Sequence, residues 1–425
     1  MSNQMNYSQF LKDENIVWIE NEYLRLGANL ALGGALTYLA EHGKDNLINS
    51  FDWGRQVQMS FYGFPNPYCP EGFEVKESWK YLGWNPIQSG DCYGHRSDIL
   101  DWKCENGEIY VKCIPRQWPM NNCPGECTFE AWYRLEGKTV RVTSRINNDR
   151  SDRTLYPARS QEQPAVYTNG PWYKLVSYLG DAPFTGGALT EICTKENGLG
   201  WPWEHFWPTE YWTALVDDDN YGLGVYNGQT CLFIGGFAGK MGKGGPKDAP
   251  TGYISPLSSE ILDHNIVYTY QYALIVGSLD EIRKTAGLID DPKCRSFFDF
   301  TNDRSHFTYE NITDKGWGKQ TGLEFDFNAE GKLVSPAIYL DKNCGKLLLD
   351  AAFTGGEVRG KLTLKHLPRT RNQEIETCSV DFVLAADGTR QLHTIDFSAI
   401  ACPSIGFSLD FAGDGHAQIF SAQLT

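Results

Sequence analysis

The chain has no apolar run approaching the roughly 18 residues that a membrane-spanning helix needs, so no such helix is expected within it. Basic residues are scarce: 38 Lys and Arg face 53 Asp and Glu, a formal net charge of −15. A surface that must neutralise phosphates needs the opposite balance, which excludes nucleic acid and anionic membranes as expected partners. The 12 cysteines lack CxxC pairs and the dense spacing of a disulfide scaffold, and no His/Cys spacing suggests zinc. Neither a metal nor another cofactor is expected on that reading. Met1 is followed by polar Ser2, Asn3 and Gln4, which read as neither a basic nor an apolar leader region, so a cytoplasmic protein with reduced thiols is expected, with a secreted one the alternative if the N-terminus was trimmed. Helix signals are few, and no internal repeat points to a propeller or solenoid.

Glycine and aromatic rings are plentiful instead. The 425 residues include 43 glycines, 13 tryptophans and 22 tyrosines. Gly-rich turns between aromatic and β-branched runs are what many short strands require. Ile16–Leu26 reads as two short strands around Glu20-Asn21, Gly33-Gly34 as a bend, and Ala35–Leu39 as a strand. Further strands are expected near 108–114, 127–134, 138–146, 212–217, 222–226, 231–235 and 266–276. In the 138–146 run, Val140, Val142 and Ser144 alternate with Arg141, Thr143 and Arg145, a period of two. The clearest helix is 278–287, with a Ser278 cap, Glu281 at the third position and a terminal Gly287.

A length of 425 residues exceeds what one core usually supports, so two domains are expected. The boundary is placed near Asp290-Asp291-Pro292. Beyond it, short alternating runs such as Leu323–Phe327, Lys346–Asp350, Gly360–Lys365 and Ser379–Leu384 are punctuated by Gly355-Gly356 and Asp387-Gly388. That spacing predicts a jelly-roll-type β-sandwich over 295–425, with an accessory or carbohydrate-binding-like role.

The run Ile19-Glu20-Asn21-Glu22-Tyr23-Leu24-Arg25-Leu26, followed by Gly33-Gly34-Ala35-Leu36-Thr37-Tyr38-Leu39, resembles the opening of the galactose-mutarotase-like superfamily. The resemblance extends loosely over residues 16 to about 290. It implies a mainly β protein whose first 290 residues form an antiparallel β-supersandwich, with its site on the concave face. The superfamily holds aldose epimerases, domains of glycoside hydrolases and polysaccharide lyases, so the fold alone does not select a reaction. The epimerases use histidines and a late glutamate. Here the corresponding stretches, Gly90–Arg96 and Arg159–Pro164, offer only His95 as a rough match.

Four polar and aromatic stretches carry the candidate chemistry. In Asp52–Tyr62, a strand would place Asp52, Gly54, Gln56, Gln58 and Ser60 on one face and Arg55 on the other. Trp84–Arg96 brings Asp91, His95 and Arg96 within six residues; a turn held by Asp91–Arg96 pairing is the structural alternative. Arg159–Tyr173 frames Glu162 between Gln161 and Gln163, with Trp172 following. Trp201–Trp212 packs four tryptophans, Glu204, His205 and Glu210 into twelve residues. An aromatic face packs on the C–H side of a pyranose, although large β cores also use many aromatics.

Glycoside cleavage needs two carboxylates about 5–5.5 Å apart for retention, or about 6.5–9.5 Å for inversion. Glu162, Asp91, Glu210, His95 and Arg159 are the catalytic candidates, with Asp52, Glu204 and Asp263 as further carboxylates. Asp52, Arg55, Gln56, Gln161, Trp172, Trp203, His205, Trp207, Trp212 and Lys243 are candidates for sugar contact. The loop Gly235–Lys247 is not a P-loop, since no Ser or Thr follows Lys240 or Lys243; it reads as a Lys-bearing loop near a site mouth. Asp217-Asp218-Asp219-Asn220 reads as a hairpin turn rather than a calcium loop. The expected function is a carbohydrate-active enzyme on an oligo- or polysaccharide or glycoside, most simply a glycoside hydrolase. Alternatives are a lyase, with Tyr93, His95, His264 or Arg159 in its machinery, an epimerase, or a non-catalytic sugar binder.

Overall fold

A computed structural model describes residues 7–192, 203–289, 296–318, 322–368 and 373–425. It is mainly β, organised in three antiparallel sheets. The first runs in the order Ile16–Glu20, Leu24–Asn29, Ala35–Glu41, Val57–Ser60, Arg159–Asn169, Thr251–Glu260, Phe233–Ala238, Glu204–Phe206. The second centres on Tyr221–Tyr226, Val267–Ser278, Thr139–Asn148 and Cys127–Glu136. Leu26, Leu36, Val57, Val166 and Ile254 of the first sheet share one core with Val111, Phe129, Val142, Tyr270 and Leu274 of the second. The two sheets therefore form a sandwich.

Alternation puts these side chains there. Thr139–Asn148 buries Val140, Val142, Ser144 and Ile146 and leaves Arg141, Thr143 and Arg145 half-buried. Gly33 and Gly34 turn the chain into the third strand with φ of 65° and 83°, a region that favours glycine. A Cβ on Gly33 would fall 1.9 Å from the Gln88 carbonyl oxygen, so the close approach also demands glycine. The helix forms at Leu279–Ala286 with a complete Ser278/Glu281 capping box, as its signals predict.

Three expectations are corrected. Asp52–Tyr62 is strand only at Val57–Ser60; Asp52 to Arg55 form a turn in which the Asp52 carboxylate accepts the Gly54 amide. Arg159–Asn169, a stretch not among the expected strands, is a central strand of the first sheet. The two runs Lys346–Asp350 and Gly360–Lys365 belong to one strand, Lys346–His366. Gly355, with φ of 127°, sits at a register shift within that strand rather than at a turn.

The third sheet is built from strands between Phe297 and Leu424 and closes over its own core of Phe298, Phe325, Leu349, Leu362, Phe407 and Ile419. The expected boundary at 290–292 lies outside the described residues. Polar contacts join this sheet to the first two. Arg304 is buried and binds Asp263 at 2.8 Å and both oxygens of Asp314 at 2.6 and 2.7 Å. The His306 imidazole lies 2.5 Å from the Glu260 carboxylate, which also accepts the Tyr268 and Ser258 hydroxyls. No described helix is long and apolar enough to cross a membrane.

Removing one member of a buried ion network strands the others without water. Arg304→Leu leaves Asp263 and Asp314 unpaired and is expected to cost about 3–5 kcal/mol, read as a fall in the urea midpoint at pH 7.

Candidate functional site

A β-bulge builds the site. In the Arg159–Asn169 strand, Glu162 stands opposite Ser60 but Ala165 stands opposite Gln58, so three steps on one strand match two on its neighbour. Pro164 has no N–H to offer a ladder, which suits this irregularity. The extra residue shifts the alternation, so Glu162, Ala165 and Tyr167 line the same cavity although their parity differs. Val57, Met59, Val166 and Ile254 point to the opposite, core side.

The cavity has a volume of about 640 Å³. Gln58, Ser60, Glu162, Tyr167, Thr251 and Tyr253 line it from the first sheet. Asp52, Gly54 and Arg55 join from the preceding turn, and Trp79, Tyr81, Asn85 and Trp118 from the connections beyond. Two aromatic groups contribute to the wall. Trp203 and Tyr167 pack on either Tyr253 contact, with ring centroids 5.0 and 4.8 Å away. Trp79 packs against Trp118 at 6.0 Å and Tyr81 at 6.2 Å. The buried Asn85 amide donates to the Phe61 carbonyl at 2.7 Å, and its own side-chain oxygen is without a protein partner among the described residues.

Glu162 accepts the Tyr62 hydroxyl at 3.1 Å on one oxygen and the Tyr253 hydroxyl on the other. Burial raises its carboxyl above the usual carboxylate range, against the lowering effect of the two phenols. Burial and the adjacent carboxylate push both phenols well above the ordinary tyrosine value, so they remain proton donors at neutral pH. Asp52 pairs with Arg55 at 3.3 Å. Burial raises its carboxyl, with Arg55 opposing. Arg55 also donates to the Ala249 carbonyl at 2.6 Å, tying the turn to the segment after the Lys-bearing loop.

The sequence candidates separate clearly. Glu162, Asp52, Arg55 and Trp203 line the cavity. Arg55, expected opposite Asp52, shares its side because the segment is a turn. Arg159 and Gln161 sit behind the wall. Arg159 donates to the carbonyls of Gly63 and Leu82, and Gln161 exchanges hydrogen bonds with the Tyr62 backbone. Gln56 is buried against the Tyr7 hydroxyl at 2.6 Å.

Asp91 is corrected to a turn organiser. It is fully buried, accepts the amides of Tyr93, Gly94, His95 and Asn122, and binds the His95 ring at 2.9 Å. Its ring partner is therefore His95 rather than Arg96, and neither Asp91 nor His95 lines the cavity. Glu210 is likewise corrected: fully buried, it accepts Arg283 through both oxygens at 2.7 and 3.0 Å, the Phe184 amide and the Trp212 indole.

The Trp201–Trp212 segment divides in the same way. Trp203 reaches the cavity, Trp207 lines a second cavity of about 700 Å³ beside the third sheet, and Trp212 is buried; Trp201 lies outside the described residues. Trp172 is core, and His205 is exposed on the edge strand Glu204–Phe206. Lys243 is exposed, with its backbone packed against Gly170 rather than its ammonium in the cavity. Asp217 closes a hairpin turn by accepting the amides of Asp219 and Tyr221.

Sequence reasoning missed Tyr253, Thr251, Tyr167, Trp79, Tyr81, Asn85 and Trp118 as wall residues. Tyr62, Gln58 and Ser60, like Asn85 and Tyr167, lay in stretches already singled out. Tyr253 sits in Thr251-Gly252-Tyr253-Ile254, which carries no pattern beyond an ordinary strand.

No protein-family model and no curated protein matches the chain. Among solved structures, a galactose mutarotase-like protein from Clostridium acetobutylicum aligns with 62% of this chain and 95% of its own, at TM-score 0.38 and 10% identity. A candidate aldose 1-epimerase from Escherichia coli K12 aligns with 62% of this chain and 99% of its own, also at TM-score 0.38 and 10% identity. A GH36 alpha-galactosidase from Geobacillus stearothermophilus covers 63% of this chain with 40% of its own, at TM-score 0.35 and 11% identity.

The raised Glu162 carboxyl has a consequence for stability. Its folded form holds a proton more tightly than the unfolded chain does, so ionisation costs stability as pH rises through the folded pKa. Glu162→Gln removes that cost. Its melting temperature is expected to match the wild type near pH 4 and exceed it at pH 8, a difference that scanning calorimetry at both pH values checks.

Proposed function

We propose that the protein is a carbohydrate-active enzyme that cleaves a neutral glycoside, with Glu162 transferring the proton. The observation that carries this reading is the Glu162 carboxyl, raised by burial and held between two phenols in an aromatic-walled cavity. A carboxyl whose pKa is lifted toward neutrality can donate a proton to a leaving oxygen and take one back from water. Asp52, the other carboxylate on the cavity wall, supplies the second acid group that glycoside hydrolysis requires. The aromatic faces suit the C–H side of a sugar ring.

The sugar is read as neutral because Arg55 is the single cationic side chain among the described lining residues, and it is already engaged by Asp52 and Ala249. An acidic sugar would place its carboxylate beside Asp52 and Glu162 without a free counter-charge, which weighs against the lyase reading. In this proposal residues 1–290 carry the reaction and 295–425 form an accessory sandwich.

One observation favours a second reading. Tyr62 and Tyr253 gather an acid–base group around one carboxylate, which suits proton exchange at a single sugar carbon, as in an epimerase. Mass spectrometry on a panel of neutral oligosaccharides separates the two, since hydrolysis adds one water and isomerisation adds none. Glu162→Gln is expected to lower turnover by about 10²–10⁴-fold while sugar affinity, read by tryptophan fluorescence, stays within a factor of two or so of wild type. Turnover unchanged in Glu162→Gln would remove the assignment.

A further inference from the structure

Far from the cavity in sequence, the third sheet brings together three side chains with no role in the proposed reaction. His366 ends the long Lys346–His366 strand, Cys378 is the second residue of the Thr377–Asp387 strand, and Cys402 lies two residues before Ser404–Phe411. Backbone pairing holds them side by side. Leu364 is paired with Cys378, His366 is paired with Ser404, and the His366 amide donates to the Glu376 carbonyl at 2.9 Å. One ring nitrogen of His366 and the sulfurs of Cys378 and Cys402 all lie within 4.8 Å of one another.

We infer that His366, Cys378 and Cys402 form a metal site that takes zinc, leaving a fourth position open to water or another ligand. The donor set is the first reason. Two thiolates and one imidazole match the ligands zinc prefers and disfavour the oxygen-seeking calcium and magnesium. Spacing is the second. Ligand atoms about 2.0–2.3 Å from a tetrahedral ion stand roughly 3.5–3.8 Å apart, so these donors need only small side-chain adjustments to reach it.

The third reason is the arrangement around the imidazole. Its Nε2 lies 2.9 Å from the Cys378 sulfur, while Nδ1, on the far side of the ring, faces the Glu376 carboxylate at 3.9 Å. A metal-bound histidine commonly directs its other nitrogen to a carboxylate, which orients the ring and raises its basicity. All three donors are half-buried, so an ion can reach them from solvent. The site escaped the sequence pattern because its ligands come from two strands and the loop before a third, 12 and 24 residues apart.

The test uses the full chain, reduced, stripped with chelator and titrated with Co²⁺. One equivalent is expected to give thiolate-to-cobalt charge-transfer and tetrahedral visible bands, and Zn²⁺ should bleach them. Cys378→Ser and Cys402→Ser, each with wild-type circular dichroism, should lose the bands. Glu376→Gln, which leaves every ligand in place, should weaken Zn²⁺ binding by about tenfold. Absence of the bands in protein whose thiols all titrate as free overturns the inference. So does their persistence in both serine variants.

Discussion

One extra residue in the Arg159–Asn169 strand decides what the first sheet presents to solvent. Without it, alternation would send Glu162 to one face and Ala165 and Tyr167 to the other. With it, a carboxylate and a phenol share the cavity while Val166 still enters the core. The same shift leaves Gln163 free to reach the Tyr268 hydroxyl of the second sheet at 2.6 Å, so the bulge is braced from behind. A central strand can tolerate such an interruption because Val57–Ser60 and Thr251–Glu260 flank it on both sides.

Around that bulge the protein keeps a carboxylate in a place that resists its ionisation. The two phenols offset part of the desolvation, and Arg159 secures the backbone from which Tyr62 extends by binding the Gly63 carbonyl. Other buried acids are treated differently. Glu210 is neutralised by Arg283 and Asp263 and Asp314 by Arg304, while Asp91 is hydrogen-bonded by backbone amides and the His95 ring. Glu162 is half-buried in the cavity wall with neutral partners instead, which is the contrast expected between a reactive group and structural ones.

Composition made the second group hard to recognise from the chain alone. Asp91, Glu210 and Trp212 stand in segments as polar and aromatic as those of Glu162 and Trp203. Whether such a residue faces a cavity or a buried partner depends on strands distant in sequence. Arg283 meets Glu210 from a helix 73 residues away, and Tyr253 meets Glu162 across 91 residues. Glu162 and Trp203 were legible as candidates because glycine, proline and aromatic residues cluster around them. Tyr253 was not, since a tyrosine in a strand is ordinary.

The sequence by itself determined the mainly β architecture, the opening strands with their Gly33-Gly34 bend, most strands of the second sheet and the capped 279–286 helix. Each of those rests on local alternation, local turn chemistry or a local cap. Tertiary structure alone decided that Arg159–Asn169 is a central strand, that Gly355 is a bulge rather than a turn, and which carboxylates have cations beside them. It also gathered His366, Cys378 and Cys402. These depend on register between distant strands, and a one-residue change of register moves a side chain from one face of a sheet to the other.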